Sequence, residues 1–261
     1  MNKFQVIVPT QNSYKILRKL IESIQNQTYN NWSVIFIDGK STKSHVEFLK
    51  ELCLRDKRFL YLKQNNMDKG IFGAMNQGLD VKDKNSWILF WGSDDWAYEV
   101  DTFEKLNKHL LKLSDINLDL VICKGNYYKI NGRFLKNTAF ANFINNKKIT
   151  ISEYKKLLFC GLTPPHQATL MRSGLFSQEF KYNDNYRIAG DLDFFCRLCY
   201  RVNLNVYLLN LKIVSMSCGG ISSRNHIKRF NEVKKSYITL FNRLYFIPFF
   251  LRYFLKLTIK Q

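Results

Sequence analysis

Neither a G-x-G-x-x-G turn nor a G-x-x-x-x-G-K-[ST] loop occurs in these 261 residues, so the dinucleotide fold and the P-loop are both without their sequence mark. Proline is scarce, at four residues, and twelve glycines are too few and too scattered to make a low-complexity linker. No repeat of solenoid or propeller period runs through the chain. The six cysteines (Cys53, Cys123, Cys160, Cys196, Cys199 and Cys218) have no disulfide-framework spacing, and free thiols suit a reducing compartment. Cys196 and Cys199 form a C-x-x-C, but no second pair or His-x-x-x-His completes a zinc set, and the two read as structural thiols. A secretory leader is also missing, because the chain runs from Met1 directly into a strand; the expectation is a cytosol-facing protein.

Acidic charge is short as well. Forty Lys and Arg stand against 21 Asp and Glu, a net charge of +19. From Ser222 onward Glu232 is the single acid. Such an excess favours an anionic partner, whether phosphorylated ligand, membrane surface or nucleic acid. No recognition motif supports nucleic acid, and that partner is set aside. What is plentiful is apolar: hydrophobic residues make up 46% and aromatics 15%, which excludes disordered and fibrous classes and supplies a large core.

Periodicity orders the first hundred residues. Short β-rich runs at 4–8, 32–37, 59–62 and 87–91 alternate with helical periods at 14–25, 46–54 and 70–79. Ser13 is placed as the N-cap of the first helix. The strands are continuously apolar, as expected where both faces are covered. Strand and helix in alternation predict a mostly parallel, Rossmann-related α/β sheet flanked by helices, with ligands at the carboxyl ends of the strands. The second half is less regular: helices at 102–113, 152–159 and 191–200, and strands at 118–123, 127–130 and 206–211.

The polar residues gather at those strand ends. Asp94 and Asp95 follow the fourth strand; two adjacent carboxylates repel, and either a bound divalent metal offsets them or they are turn acids facing water. Asp38 ends the second strand, where an acid accepts from a base N–H or a ribose hydroxyl, or simply turns the chain before Gly39. Asp68, Lys69 and Gly70 precede a helix whose N-terminus would meet phosphate or sugar oxygens, with Asn76 one turn in; Lys69 reads equally as a ligand contact or as a solvated loop lysine. Asp191 opens an apolar helix, either as an N-cap or as a carboxylate taking a proton, while Asp193 complements the helix dipole. His166 follows Pro164-Pro165 on a rigid loop, facing ligand or serving structure. His45 and His109 sit in helical stretches read as solvated. In residues 237–259, Arg243, Arg252, Lys256 and Pro248 interrupt the apolar run, so the tail is expected to lie in a headgroup region or to pack on the core, and not to span a bilayer.

Taken together, Val6-Ile7-Val8-Pro9-Thr10-Gln11-Asn12, Ile37-Asp38-Gly39-Lys40-Ser41-Thr42, Asp68-Lys69-Gly70-Ile71-Phe72-Gly73-Ala74-Met75-Asn76 and Ser93-Asp94-Asp95 resemble family-2 glycosyltransferases of the GT-A fold, in order and spacing. The nearest likeness is to bacterial enzymes of O-antigen, capsule and exopolysaccharide assembly. The resemblance implies inverting sugar transfer from a nucleoside-diphosphate sugar, UDP-linked in preference, to a hydroxyl of a lipid-linked surface glycan. It implies a nucleotide-sugar site of Pro9, Thr10, Asn12, Asp38, Lys69, Gly70, Asn76, Ser93, Asp94 and His166. Asp94 and Asp95 would hold Mn²⁺ or Mg²⁺ in the DXD role, and Asp191 would be the general base. Gly219-Gly220-Ile221-Ser222 resembles a family loop near the active site. The chain departs from the family pattern at Gly92, where the first acid of the DXD stands, at Lys40 and Gly73, and at Gly190, where an acid often precedes the catalytic Asp. The expected organisation is a GT-A-like domain over 1–225, with a nucleotide-binding half (1–100) and an acceptor-binding half (101–225), and a basic aromatic helical extension over 226–261. It would be peripheral on the inner face of the cytoplasmic membrane, with a homodimer open. Two rivals remain: a sugar nucleotidyltransferase, which would want a basic phosphate loop that residues 9–14 do not supply, and a degenerate transferase-like binding or scaffold subunit.

Overall fold

The computed structural model describes residues 1–65, 70–201, 203–219 and 225–258, with side chains described as far as 254. Four strands, β1 (Phe4–Thr10), β2 (Trp32–Asp38), β3 (Phe59–Lys63) and β4 (Trp87–Phe90), are joined through helices α1 (Tyr14–Gln25), α2 (Lys43–Arg55) and α3 (Gly70–Asp80). They pair in parallel in the order β3-β2-β1-β4. Their apolar continuity has a direct cause. Ile7, Ile35, Ile37, Ile88 and Phe90 face one core with α3, whereas Val6, Val8, Val34, Phe36 and Leu89 face a second core with α1 and α2.

The second half adds β5 (Asp95–Ala97), α4 (Thr102–Lys112), β6 (Leu120–Tyr128), β7 (Phe134–Asn137), β8 (Lys147–Ile149), α5 (Ile151–Phe159), β9 (Thr169–Arg172), α6 (Gly190–Leu198) and β10 (Val206–Ser217). One mixed sheet results, ordered β3-β2-β1-β4-β9-β6-β10-β5. The α/β architecture with helices on both faces is as expected, but parallel pairing is confined to β1–β4 and to β6 with β10. Strand β9 runs antiparallel between β4 and β6. The right-handed crossover rule governs parallel pairs and does not apply to these antiparallel ones.

Two local expectations change. The two strands placed either side of Gly125 are one strand, β6. Gly125 does not break it: a Cβ there would stand 2.9 Å from Met216 Cε and 3.1 Å from Val214 Cγ1, so the glycine admits β10 alongside. Ser13 makes no side-chain cap on α1 and is used elsewhere. Strands β5, β7, β8 and β9 are three or four residues long, too short to show a period.

The chain closes with α7 (His226–Phe241) and α8 (Phe246–Thr258). Val233, Tyr237, Leu240 and Phe249 join the core of α6, and Arg252 backbone atoms lie against Gly161, whose φ of +77° and missing side chain make the seat. The opposite face stays outside: Phe246, Phe250 and Phe254 are 47%, 68% and 62% exposed. Among the described residues no helix is long and apolar enough to cross a membrane.

Helix α3 lies on β1 through Gly78, where a Cβ would fall 2.6 Å from Ile7 Cγ2. Gly78→Ala is therefore expected to lower stability by about 1–3 kcal/mol through overpacking. Thermal denaturation should show the midpoint falling by several degrees. The double variant with Ile7→Ala should lose less than the sum of the two single changes.

Candidate active site

The carboxyl ends of β1, β2 and β4 share one rim, with Thr10 in register with Asp38 and Ile7 with Phe90. Asn12 adopts φ +50° as the chain leaves β1. From there its amide oxygen accepts from the Thr42 N–H at 2.8 Å, and its own N–H donates to Ser41 Oγ at 2.7 Å. The two loops are thereby tied together. Ser41 donates its hydroxyl to Asp38, and His45 Nε2 stands 3.5 Å from the same carboxylate.

From Asp38 a chain of short contacts crosses the rim. His45 Nε2 is 3.2 Å from Thr10 Oγ1, Thr10 is 2.5 Å from Ser13 Oγ, Ser13 donates to Ser93 Oγ at 3.0 Å, and Ser93 donates to the Pro9 carbonyl at 3.2 Å. His45 was expected to face solvent; it is fully buried. Burial lowers its pKa against the opposing pull of Asp38, which keeps the ring neutral. Its place on the buried stripe with Leu49 is a helical spacing that the sequence did carry.

Beyond Ser93 the chain turns tightly. The Gly92 N–H donates to Asp95 Oδ2 at 2.6 Å, and the Asp95 N–H returns to the Gly92 carbonyl at 3.2 Å. A Cβ on residue 92 would stand 3.0 Å from Asp94 Oδ1 and 3.2 Å from Asp95 Oδ2, so both carboxylates converge on the space a side chain would fill. Gly92 thus departs from the family acid at a point where the neighbouring carboxylates already crowd. Burial and then the Asp94 charge push the Asp95 pKa well up, and burial raises Asp94. Among the described residues neither forms an ion pair with Lys or Arg. Nor is any group of three His, Cys, Asp or Glu placed to hold a metal by itself. Two uncompensated carboxylates over one gap fit a divalent cation whose remaining ligands come from elsewhere.

Asp191 lies in the first turn of α6, with its Oδ1 accepting from the Leu192 N–H at 2.8 Å. Tyr127, on β6, feels both Asp95 and Asp191; burial first and then these charges push its hydroxyl to about 12. The two carboxylates are thus within electrostatic reach of one hydroxyl. Asp191 also acts on His166, Tyr182 and Arg252. Arg252 reaches in from α8 and donates to Thr163 Oγ1. Asp193 is buried and paired with Arg197 at 2.8 Å, which leaves Asp191 without that cation.

His166 and Asn76 are both committed to Tyr182. His166 Nε2 lies 2.7 Å from the Tyr182 hydroxyl, its ring stacks on Phe90 with centroids 5.2 Å apart, and burial lowers its pKa to about 4. Asn76 brackets the Tyr182 backbone, donating to its carbonyl at 2.8 Å and accepting from its N–H at 2.9 Å. Each therefore holds the segment that leads to Asp191. Gly70, at φ +70°, starts α3 in contact with Arg187, whose Nη1 would be 2.6 Å from a Cβ there. Arg187 was not foreseen, having no motif to mark it. Lys69, with residues 66–68, lies outside the described residues, as do Gly220, Ile221 and Ser222 of the late glycine loop. Cys196 and Cys199 are free thiols whose pKa values burial raises, Cys199 to about 12, as suits structural cysteines.

The sequence profile described as glycosyl transferase family 2 matches residues 5–176. The chain belongs to that family. Among curated relatives, the PGL/p-HBAD biosynthesis glycosyltransferase of Mycobacterium tuberculosis (strain ATCC 25618 / H37Rv) is 28% identical over 229 residues, covering 84% of this chain and 79% of the relative. Glycosyltransferase GlyA of Streptococcus pneumoniae serotype 4 is 38% identical over 130 residues, which is 50% of this chain and 17% of that protein. Among solved structures, S. aureus TarS 1-349 in complex with UDP-GlcNAc superposes with a TM-score of 0.69 at 19% identity, covering 92% of this chain and 67% of that one. The mannosyltransferase PcManGT from Pyrobaculum calidifontis, in complex with GDP-Man and Mn²⁺, gives a TM-score of 0.59 at 13% identity, covering 95% and 69%. The fold is that of GT-A proteins, and this chain is a glycosyltransferase by family.

The raised Asp95 carries a stability consequence. Its folded pKa exceeds the unfolded value, so the stability this group adds is present below the ordinary carboxylate range and is lost as pH rises through the folded pKa. Asp95→Asn, which keeps an acceptor for Gly92, is expected to raise the thermal midpoint at pH 7 by a few degrees. Calorimetry across pH should show that margin closing toward about pH 4, where an ordinary aspartate titrates.

Proposed function

We propose that the chain transfers a sugar, with inversion, from a nucleoside-diphosphate donor to a hydroxyl of a glycan acceptor, lipid-linked and destined for the cell surface. The observation that carries this reading is the convergence of the Asp94 and Asp95 oxygens over Gly92, beside the strand ends that carry Thr10 and Asp38. The donor would lie along the rim from Asp38, at the base and ribose, past Pro9, Thr10, Asn12 and Ser93 to Asp94. A UDP-sugar is favoured, as in the TarS complex. Gly70, Lys69 and Arg187 would meet its phosphates at the α3 N-terminus, while Asn76 and His166 support the site through Tyr182.

Asp94 and Asp95 would hold Mn²⁺ or Mg²⁺, which when bound offsets the charge of the departing diphosphate. The protein's own work is proton removal and orientation. Asp191 accepts the proton of the acceptor hydroxyl as that oxygen bonds to the sugar's anomeric carbon and the carbon–phosphate oxygen bond breaks, releasing the nucleoside diphosphate. The buried His166 has its Nε2 engaged with the Tyr182 hydroxyl at 2.7 Å and supports the site through that contact. We keep the division into a nucleotide half (1–100), an acceptor half (101–225) and a C-terminal extension (226–261). The extension would rest on the inner face of the cytoplasmic membrane through Phe246, Phe250 and Phe254, whose exposed rings line one side of α8.

Donor hydrolysis tests the chemistry. With Mn²⁺ and a panel of UDP-, GDP-, CDP- and dTDP-sugars, one donor is expected to turn over, and Asp191→Ala should reduce that rate by about 100-fold or more. No turnover with any donor, and no change in Asp191→Ala, would sink the reading. For the tail, co-sedimentation with vesicles containing anionic lipid should fall at least about tenfold when Phe246, Phe250 and Phe254 are all changed to Ser, given the apolar burial that each ring supplies. Unchanged binding would count against surface anchoring.

A further inference from the structure

Glu232 is the only acid after Ser222, and it does not face solvent as a lone carboxylate in a basic tail would. From α7 it reaches the segment ahead of α6. Its Oε1 accepts from the Arg187 N–H at 2.9 Å, and its Oε2 accepts from the Ile188 and Ala189 N–H groups at 2.8 Å each. Three consecutive backbone donors converge on one carboxylate from another helix. Ala189, the residue that caps α6, has no side chain able to satisfy those groups. The far carboxylate does what a local Ser or Asp does at an ordinary helix start, and its charge also faces the positive end of the α6 dipole.

The same segment is pinned from the other side. Phe72 of α3 lies against Gly190, where a Cβ would stand 2.7 Å from the ring, and Arg187 packs on Gly70. Residues 187–190 are therefore held between α3 and α7, and Asp191 follows directly. Nothing else in α7 touches the backbone of this segment among the hydrogen bonds described.

We propose that Glu232 is a positioning residue for Asp191: by clamping the 187–189 amides it fixes where the α6 N-terminus, and with it the Asp191 carboxylate, stands against the acceptor. The proposal rests on the reading of Asp191 as the base. It makes α7 a working part of the site. A shift of about 1 Å at a reacting group is enough to cost on the order of 100-fold in rate, so a clamp at this distance is expected to appear in turnover more than in donor binding.

The test uses the full chain with two variants, Glu232→Gln, which keeps the shape and one acceptor oxygen, and Glu232→Ala. Two readouts are taken. Amide hydrogen exchange at residues 187–189 should quicken about tenfold or more in Glu232→Ala and less in Glu232→Gln. Hydrolysis of the nucleotide-sugar panel with Mn²⁺ should show kcat falling about 10- to 100-fold with KM within about twofold. In an Asp191→Asn background the same change at 232 should add almost nothing, because its effect passes through the carboxylate already removed. Should Glu232→Ala not fold, Glu232→Gln carries all three measurements. Unchanged exchange, or losses that multiply fully in the double variant, would overturn the positioning role while leaving the transferase reading in place. A wild type silent on every donor sinks that reading, and this proposal with it.

Discussion

Asp95 is held in a buried turn beside Asp94, with no Lys or Arg paired to either among the described residues, and this uncompensated carboxylate pair is the constraint the rest of the rim is arranged around. A buried carboxylate is tolerated only where something holds it in place. Here one oxygen is taken by the Gly92 amide, and β5, which begins at Asp95, is anchored antiparallel on β10. On the other side Ser93 fastens the turn to the end of β1 through Ser13 and Pro9. Asp38 is reached by the same run of hydroxyls through Thr10 and His45, so the acids on the two loops occupy one connected hydrogen-bonded rim.

How far this was legible in the sequence follows the physics of each element. Strands β1 to β4 are covered on both faces and are separated by amphipathic helices, so periodicity alone places them, and the polar strand ends with them. The antiparallel half gives no such signal. Strand β9 is four residues, β5 is three, and both depend on partners distant in the chain. Asp94, Asp95, Asp38 and Asp191 stood out because acids at strand or helix ends are conspicuous. His45 did not, because one polar residue on a buried helical stripe reads as surface until its partner is known. His166 and Asn76 were visible as candidates, but their partner, Tyr182, was not, and it is Tyr182 that gives both of them their place.

The C-terminal helices alter how the site is bounded. Sequence offered a basic, aromatic tail with two readings, surface-bound or packed, and the structure has room for both at once. One face of α7 and α8 enters the α6 core, and Gly161 lets the α8 backbone come close enough for Arg252 to reach Thr163. The other face leaves its rings exposed. Arg252 and Glu232 thus bring opposite charges toward the same helix start from two successive helices, Glu232 to its amides and Arg252 within reach of the Asp191 charge.

The contact of Phe72 with Gly190 bears on the acid that the family resemblance places ahead of Asp191. A ring at 72 and any side chain at 190 compete for the same volume, since even a methyl group would stand 2.7 Å from the ring. An acid immediately before Asp191 is therefore excluded by packing and not by chemistry. The two positions form a steric pair across the gap between α3 and α6, one large and one vanishing. In homologous chains they should change together, a bulky residue at the first accompanying glycine at the second and a smaller one releasing it.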